Sequence, residues 1–135
     1  MRKLIYILTI CSTVLSGSAT IAQDFRFNQV LRGRVNNLQS IKQDKHGVFW
    51  FASFDNRLQR YDGVNLKAYV NDPNNPTSIA GAPCISLLAD SENIIWVGTL
   101  GKGLDRLDPA TNTFTHFRHI PQDASSLSND TVSAI

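Results

Sequence analysis

Three glycines and a lysine fall within the six residues Gly98–Gly103, GTLGKG. Turns of that composition hold phosphates on backbone N–H groups when they open a helix. His116 and His119 stand three apart in HFRH, and closely spaced imidazoles are a common start for a zinc site. Asp44, Asp62, Asp90 and Asp108 could pair as carboxylates for acid–base work. Cys84 could act as a nucleophile if its surroundings favoured the thiolate.

None of these groups has the neighbours its chemistry needs. A phosphate-binding loop reads G-x-x-x-x-G-K-[ST], whereas Lys102 follows Gly101 and precedes Gly103. A dinucleotide fingerprint would need glycine where Arg106 stands, and a helix after it. LDRLD, which follows, has the character of a strand. On a strand, positions three apart face opposite sides, so His116 and His119 cannot share a metal, and His46 is the only other histidine. Cys84 sits in the apolar run CISLL and reads as a small buried hydrophobe. The expectation is a chain with no catalytic residue, no cofactor and no metal.

The elements that position these residues come from an internal repeat. Ser40–Asp62 (SIKQDKHGVFWFASFDNRLQRYD) aligns without a gap on Ser86–Asp108 (SLLADSENIIWVGTLGKGLDRLD) at an offset of 46. Identical pairs are Ser40/Ser86, Asp44/Asp90, Trp50/Trp96, Leu58/Leu104, Arg60/Arg106 and Asp62/Asp108. The offset then becomes 48, matching Leu66 with Phe114, Tyr69 with Phe117 and Pro73 with Pro121. SNDTVSAI starts a third copy. Each unit reads as four short strands, the first at Leu38–Gln43 and again at Cys84–Ala89. DKHG and DSEN form tight turns between the first and second strands, in which Gly47 or Asn93 tolerates the left-handed backbone. VFWFAS and IIWVGT are unbroken apolar runs, so these strands should be covered on both faces.

Four strands per unit at a period of 46 to 48 predict an all-β fold: a β-propeller fragment of about two four-stranded blades plus the start of a third. A solenoid, whose repeats are shorter or helical, fits less well. The first copy reads ASFDNR where the second reads GTLGKG, so the turn is kept and the glycines are not. Recurrence also recasts the aspartates as turn caps, Arg60 and Arg106 as partners of a repeated aspartate, and Trp50 and Trp96 as fillers between blades.

The chain begins with Arg2 and Lys3, then twelve apolar-rich residues from Leu4 to Leu15, then small residues that place a cleavage site after Ala22. That is the anatomy of a secretory signal peptide, and the apolar run is shorter than the ~20 residues of a membrane span. Removing it takes Lys plus Arg from 13 to 11, equal to the 11 acids, and leaves Cys84 as the one cysteine. No basic stripe remains for nucleic acid. The expected organisation is a signal peptide at 1–22, a lead-in segment at 23–34, blade repeats at 35–79 and 80–127, and the start of a third at 128–135. Two repeats cannot close a ring, so the chain is expected to work only within a longer protein.

QDKHGVFWFASFDNRLQRYDG and ADSENIIWVGTLGKGLDRLD resemble the repeats of the two-component regulator propeller family, D-x-x-G-x-[IL]-W-[IVF]-G-T-x-x-G-L-x-x-[YF]-D. NDPNNPTSI and IPQDASSLSNDTV resemble its joints between blades. The first copy departs from the pattern at Ala52 and at Asp55-Asn56-Arg57-Leu58, and Arg32-Gly33-Arg34 replaces a common G-L-S lead-in. The resemblance implies structural signature roles for Asp44, Trp50, Leu58, Arg60 and Asp62, and for Asp90, Trp96, Gly98, Gly103, Leu104, Arg106 and Asp108. It further implies the amino-terminal part of the periplasmic sensor region of a Bacteroidetes-type hybrid sensor histidine kinase. Its partners would be an unknown extracellular ligand, with oligosaccharides among the candidates, neighbouring blades of the longer chain and a second copy in a dimeric parent. The competing readings are part of a secreted propeller lyase or lactonase, and a purely structural interaction propeller.

Overall fold

A computed structural model describes residues 34–55 and 57–135. The signal peptide expected at 1–22 and nearly all of the expected lead-in segment lie outside the described residues. The chain divides into two units, residues 1–35 and 36–135, and the second contains both sheets discussed below.

Eight strands form two antiparallel four-stranded sheets, and no helix occurs among the described residues. The first sheet runs in the order β1 (Leu38–Gln43), β2 (Phe49–Ser53), β3 (Arg57–Tyr61), β4 (Leu66–Tyr69). The second runs β5 (Cys84–Ala89), β6 (Ile95–Thr99), β7 (Leu104–Asp108), β8 (Thr113–Phe117). Both are simple meanders with the same register. Trp50 lies opposite Arg60, as Trp96 lies opposite Arg106. Leu58 lies opposite Tyr69, as Leu104 lies opposite Phe117. Each first strand carries an irregularity at the same repeat position, between Leu38 and Ser40 and between Cys84 and Ser86.

Each sheet is organised by one carboxylate. Asp44 Oδ1 accepts from the backbone N–H groups of His46 (2.9 Å) and Val48 (3.1 Å), while Oδ2 accepts from the Trp50 indole Nε1 at 2.9 Å. Asp90 repeats the set with Glu92 N (3.0 Å), Ile94 N (2.9 Å) and Trp96 Nε1 (2.9 Å). An aspartate that satisfies turn amides with one oxygen fixes the hairpin. With the other oxygen it fixes the rotamer of the largest side chain on the next strand. Gly47 and Asn93 take the left-handed backbone (φ +80° and +70°) that lets the chain reverse.

The two sheets pack face to face, in the manner of propeller blades. Trp50, Ala52, Leu58 and Tyr69 from the first sheet meet Cys84, Leu87, Ile95, Val97, Leu107 and Phe114 from the second, with Ile79 of the connection between them. Trp50 is fully buried and stacks on Tyr69 (centroids 6.0 Å apart), which meets Phe114 edge to face at 5.7 Å. Alternate residues of β2 and β6 supply this interface, yet their other residues are also mostly buried, as the unbroken apolar runs predict. Each leucine or isoleucine sealed there contributes on the order of 2 kcal/mol.

The far side of the second sheet is less covered. Trp96 and Leu104 are half-buried, Phe117 is 40% exposed and packs on Trp96 at 5.8 Å. Residues 130–132 occupy one end of that face. The N–H groups of Gly101 and Gly103 donate to the Asp130 carbonyl, Val132 N donates to Thr99 O, and Ser86 Oγ donates to Val132 O at 2.8 Å. Gly98 makes this approach possible, because a Cβ there would strike both Ser86 Oγ and the Val132 carbonyl oxygen. Ala52 holds the equivalent place in the first sheet and carries its methyl inside the core. We expect Gly98→Val to push residues 130–132 off the sheet at a cost of roughly 1–3 kcal/mol. Hydrogen exchange checks this, since the Gly103 and Val132 amides should lose protection while the Trp50 indole N–H keeps it.

Candidate functional site

The turns and connections create two clefts, one between the sheets and one between the 71–81 connection and the second sheet. At the end of the β1–β2 and β3–β4 turns, Asp44, His46, Tyr69, Lys67, Asn93 and Asn112 surround an open cleft of about 520 Å³. Lys67 spans it, donating from Nζ to Asn112 Oδ1 at 2.7 Å and lying 4.5 Å from the centre of the Tyr69 ring. Lys45 makes a second tie at this end, to the Ser91 carbonyl at 3.2 Å. The Asn93 side-chain oxygen is buried here without a partner among the described residues.

At the other end lies the group that sequence reading missed. Asp105, in the middle of β7, is fully buried. Its Oδ2 accepts from the Ala80 N–H at 2.7 Å; its Oδ1 meets His116 Nδ1 at 2.7 Å and Arg118 Nη1 at 3.3 Å. His116 Nε2 in turn lies 3.1 Å from the Pro76 carbonyl. An aspartate orienting a histidine is half of a nucleophile-activating triad. Here the outer nitrogen is occupied by a backbone carbonyl, so it cannot serve as a base, and the pair instead pins the 71–81 connection across β7 and β8. Phe114 N adds a bond to Thr77 O, which covers the outer edge of β8. Asn71, Pro76, Ala80, Lys102, His116 and Arg118 line an open cleft of about 480 Å³ over this cluster.

The two histidines of HFRH therefore serve different connections, His116 the one before β5 and His119 the one after β8. His119 Nδ1 bonds to the Leu127 carbonyl at 2.7 Å. Its counterpart in the first repeat is Asn71, whose Nδ2 donates to the Ile79 carbonyl at 2.8 Å, so His119 does the work of an amide. Among the described residues no group of three or more histidine, cysteine, aspartate or glutamate side chains is placed to hold a metal.

The glycine turn has two jobs. Gly101 and Gly103 adopt φ of +87° and +71°, and Thr99 braces the turn by donating from N and Oγ1 to Gly103 O while Oγ1 accepts from Lys102 N. A Cβ on Gly103 would strike the Phe117 carbonyl and crowd the Arg118 guanidinium. Asp55, the counterpart of Gly101, is not among the non-glycine residues with positive φ. This corrects the expectation that ASFDNR and GTLGKG share one backbone: the sheets match, and the tips of these turns differ.

The remaining repeated residues divide by surroundings. Leu58 is fully buried and Leu104 half-buried. Arg60 Nη1 pairs with Asp62 Oδ2 at 3.3 Å, both about one-third exposed, an ion pair worth little in water. No such pair forms between Arg106 and Asp108 among the described residues; Arg106 acts electrostatically on Asp90 instead, so the expected repeat of the pair holds in one sheet. Asp62 Oδ1 caps its turn through Val64 N and Asn65 N, and these amides, with Arg60, hold its carboxyl below the usual range. Asp108 Oδ1 accepts from Ala110 N at 2.9 Å.

No protein-family model matches this chain, and no curated protein does. Solved structures do. The extracellular domain of a hybrid two-component system protein from B. thetaiotaomicron is 29% identical, with a TM-score of 0.64 over 72% of this chain and 14% of that one. The chain thus spans 14% of the length of that structure. A catalytically inactive virginiamycin B lyase from Staphylococcus aureus, solved with quinupristin, is 23% identical with a TM-score of 0.48 over 66% of this chain and 29% of the other. At that level it carries no functional argument.

Two titrations test the site's groups. The Trp96 indole N–H is the main influence holding the Asp90 carboxyl below its usual 3.8, opposed by burial and helped by the Ile94 and Glu92 amides and Arg106. A depressed carboxyl contributes stability that is complete above the unfolded value and is lost as pH falls through the folded one. The Trp96 indole resonance should therefore move with a midpoint below pH 3.8, and a midpoint above that value would refute the bond. Burial, with the Asp105 charge, pushes the Cys84 thiol up to about 12. Iodoacetamide at neutral pH should leave the peptide carrying Cys84 unmodified in the native protein and label it after denaturation.

Proposed function

We propose that this chain supplies two blades, and the beginning of a third, of a β-propeller in the extracellular sensor region of a two-component signalling protein. The observation that carries this reading is its similarity to the extracellular domain of the B. thetaiotaomicron hybrid two-component system protein, 29% identical at a TM-score of 0.64 over 72% of the chain. The packing favours the same reading. The face of the first sheet that holds Trp50 is sealed by the second sheet, whereas the matching face around Trp96 is half-open, which is the surface a following blade would cover. Within this reading the chain is exported, and its part is recognition and transmission rather than catalysis. The His116 ring, with a backbone carbonyl on its outer nitrogen, suits a structural tie better than a base. The ligand is a small extracellular molecule, with oligosaccharides as the leading class, and the parent works as a dimer.

Reading the coding frame beyond Ile135 tests this. Further repeats of the same pattern are expected, followed by a membrane helix and cytoplasmic kinase modules. A frame that closes the ring and ends without a membrane segment would sink the proposal and point to a secreted propeller.

A further inference from the structure

The two repeats share a framework, so the residues in which they differ at equivalent places are not needed to build a sheet. Four such residues gather at one cleft. Lys102, Asp105, His116 and Arg118 stand where the first repeat has Asn56, Gln59, Ala68 and Val70. The first sheet forms its four strands with none of these charges.

Their arrangement is that of one arginine held from behind, with a lysine on the same cleft. Asp105 is wholly buried and gives its oxygens to Ala80 N, His116 and Arg118. Arg118 Nη1 is fixed by Asp105 Oδ1 and by the Phe117 carbonyl at 3.0 Å, and Gly103 leaves room for the guanidinium to lie over the turn. Nε and Nη2 of Arg118 and Nζ of Lys102 have no acceptor among the described residues. Both side chains line the same open cleft of about 480 Å³. A guanidinium whose rotamer is locked from behind loses little freedom on meeting a ligand, and its unused edge matches two oxygens of one group. Asp72 is the one acid on the cleft wall, and it already accepts from Asn74 N at 2.9 Å.

We propose that this cleft binds an oxyanion, a carboxylate or a sulfate-like group carried by a small molecule, between Arg118 and Lys102. Asp105 and His116 act as positioning residues, holding Arg118 and the 71–81 wall in place. GTLGKG thus contributes to anion binding through the Lys102 side chain and the space above Gly103, and not through a backbone cradle.

The test is an NMR titration of the purified full-length chain with sodium acetate and with sodium sulfate, each against sodium chloride at equal ionic strength, following Arg118 Nε–Hε. A saturable shift with acetate or sulfate and not with chloride is expected. The preferred probe tells whether the bound group is a carboxylate or a tetrahedral dianion. Lys102→Gln and Arg118→Gln should each weaken binding by roughly tenfold or more, Asp72→Asn should tighten it, and Lys67→Gln at the opposite cleft should change nothing. Should Arg118→Gln fail to fold, Lys102→Gln alters an exposed side chain and still decides. Equal shifts with chloride, no saturation, affinity indifferent to Lys102, or weaker binding in Asp72→Asn would each overturn the proposal. None of these readouts depends on the signalling function, so the anion site can stand or fall separately from it.

Discussion

A single carboxylate in each repeat sets the geometry from which the rest follows. Asp44 and Asp90 each give one oxygen to two turn amides and the other to an indole N–H six residues on. The bond does two things that a hydrophobic contact cannot. It satisfies turn donors that the hairpin ladder leaves over, and it removes the penalty of burying an indole N–H in an apolar layer. Trp50 can then lie flat in the interface on Tyr69. The second sheet packs on that surface, and the connection and both clefts exist only because it does. Loss of the Asp44 carboxylate would leave the buried Trp50 indole N–H and two part-buried turn amides unpaired, which costs more than the net value of the bonds.

Much of this was legible in the sequence, because a repeat supplies its own control. The strands, the turns at Gly47 and Asn93, the unbroken apolar character of β2 and β6, and the framework roles of the aspartates could all be read from two aligned copies. Asp105 could not. It lies among alternating residues in LDRLD, its counterpart is the uncharged Gln59, and its partners come from another strand and from a connection 25 residues earlier. Nothing in local spacing links Asp105 to Ala80, or His116 to Pro76 across 40 residues. One signal was present: an acid, a histidine and two further cations in the second repeat where the first has none of them. The turn at Gly101–Gly103 was half legible. Comparing the two copies excludes a phosphate loop but makes Asp55 and Gly101 equivalent in backbone, whereas the left-handed φ of Gly101 is not found at Asp55.

Repeated and unrepeated residues therefore carry different information. What recurs, namely Asp, Trp, Leu, Arg and Asp in register, is the cost of folding a meander that must stack on its neighbour. The connections recur as well. Ser78 Oγ takes the Asp72 N–H as Ser126 Oγ takes the Ile120 N–H, and Asn71 and His119 each clamp a carbonyl eight residues on. Against that constant background the Asp105 cluster stands out as an addition. It retains the structural duty of tying the connection to β7 and β8, but a neutral Gln59 occupies the matching place in the first sheet. Burying a carboxylate is expensive even when it is paired, so a fold that needed only a tie had a cheaper option in its own other half.

The two ends of the structure also differ in how they are closed. At the turn end Lys67 and Lys45 cross from one sheet to the next and end on neutral oxygens of Asn112 and Ser91, so the cations there are used to tie the two sheets together. At the connection end, Arg118 leans back onto Asp105 and the Phe117 carbonyl through Nη1 alone and leaves its outer edge free. In a stack of blades the interfaces must be filled, whereas the ends of the strands are where loops can vary without disturbing them. An end whose arginine keeps unused donors, walled by a connection pinned in place and floored by a buried charge, is the part of this architecture with the freedom to be a site. The half-covered face around Trp96 differs from both ends, because Trp96, Leu104 and Phe117 reproduce there the set that the first sheet hides as Trp50, Leu58 and Tyr69.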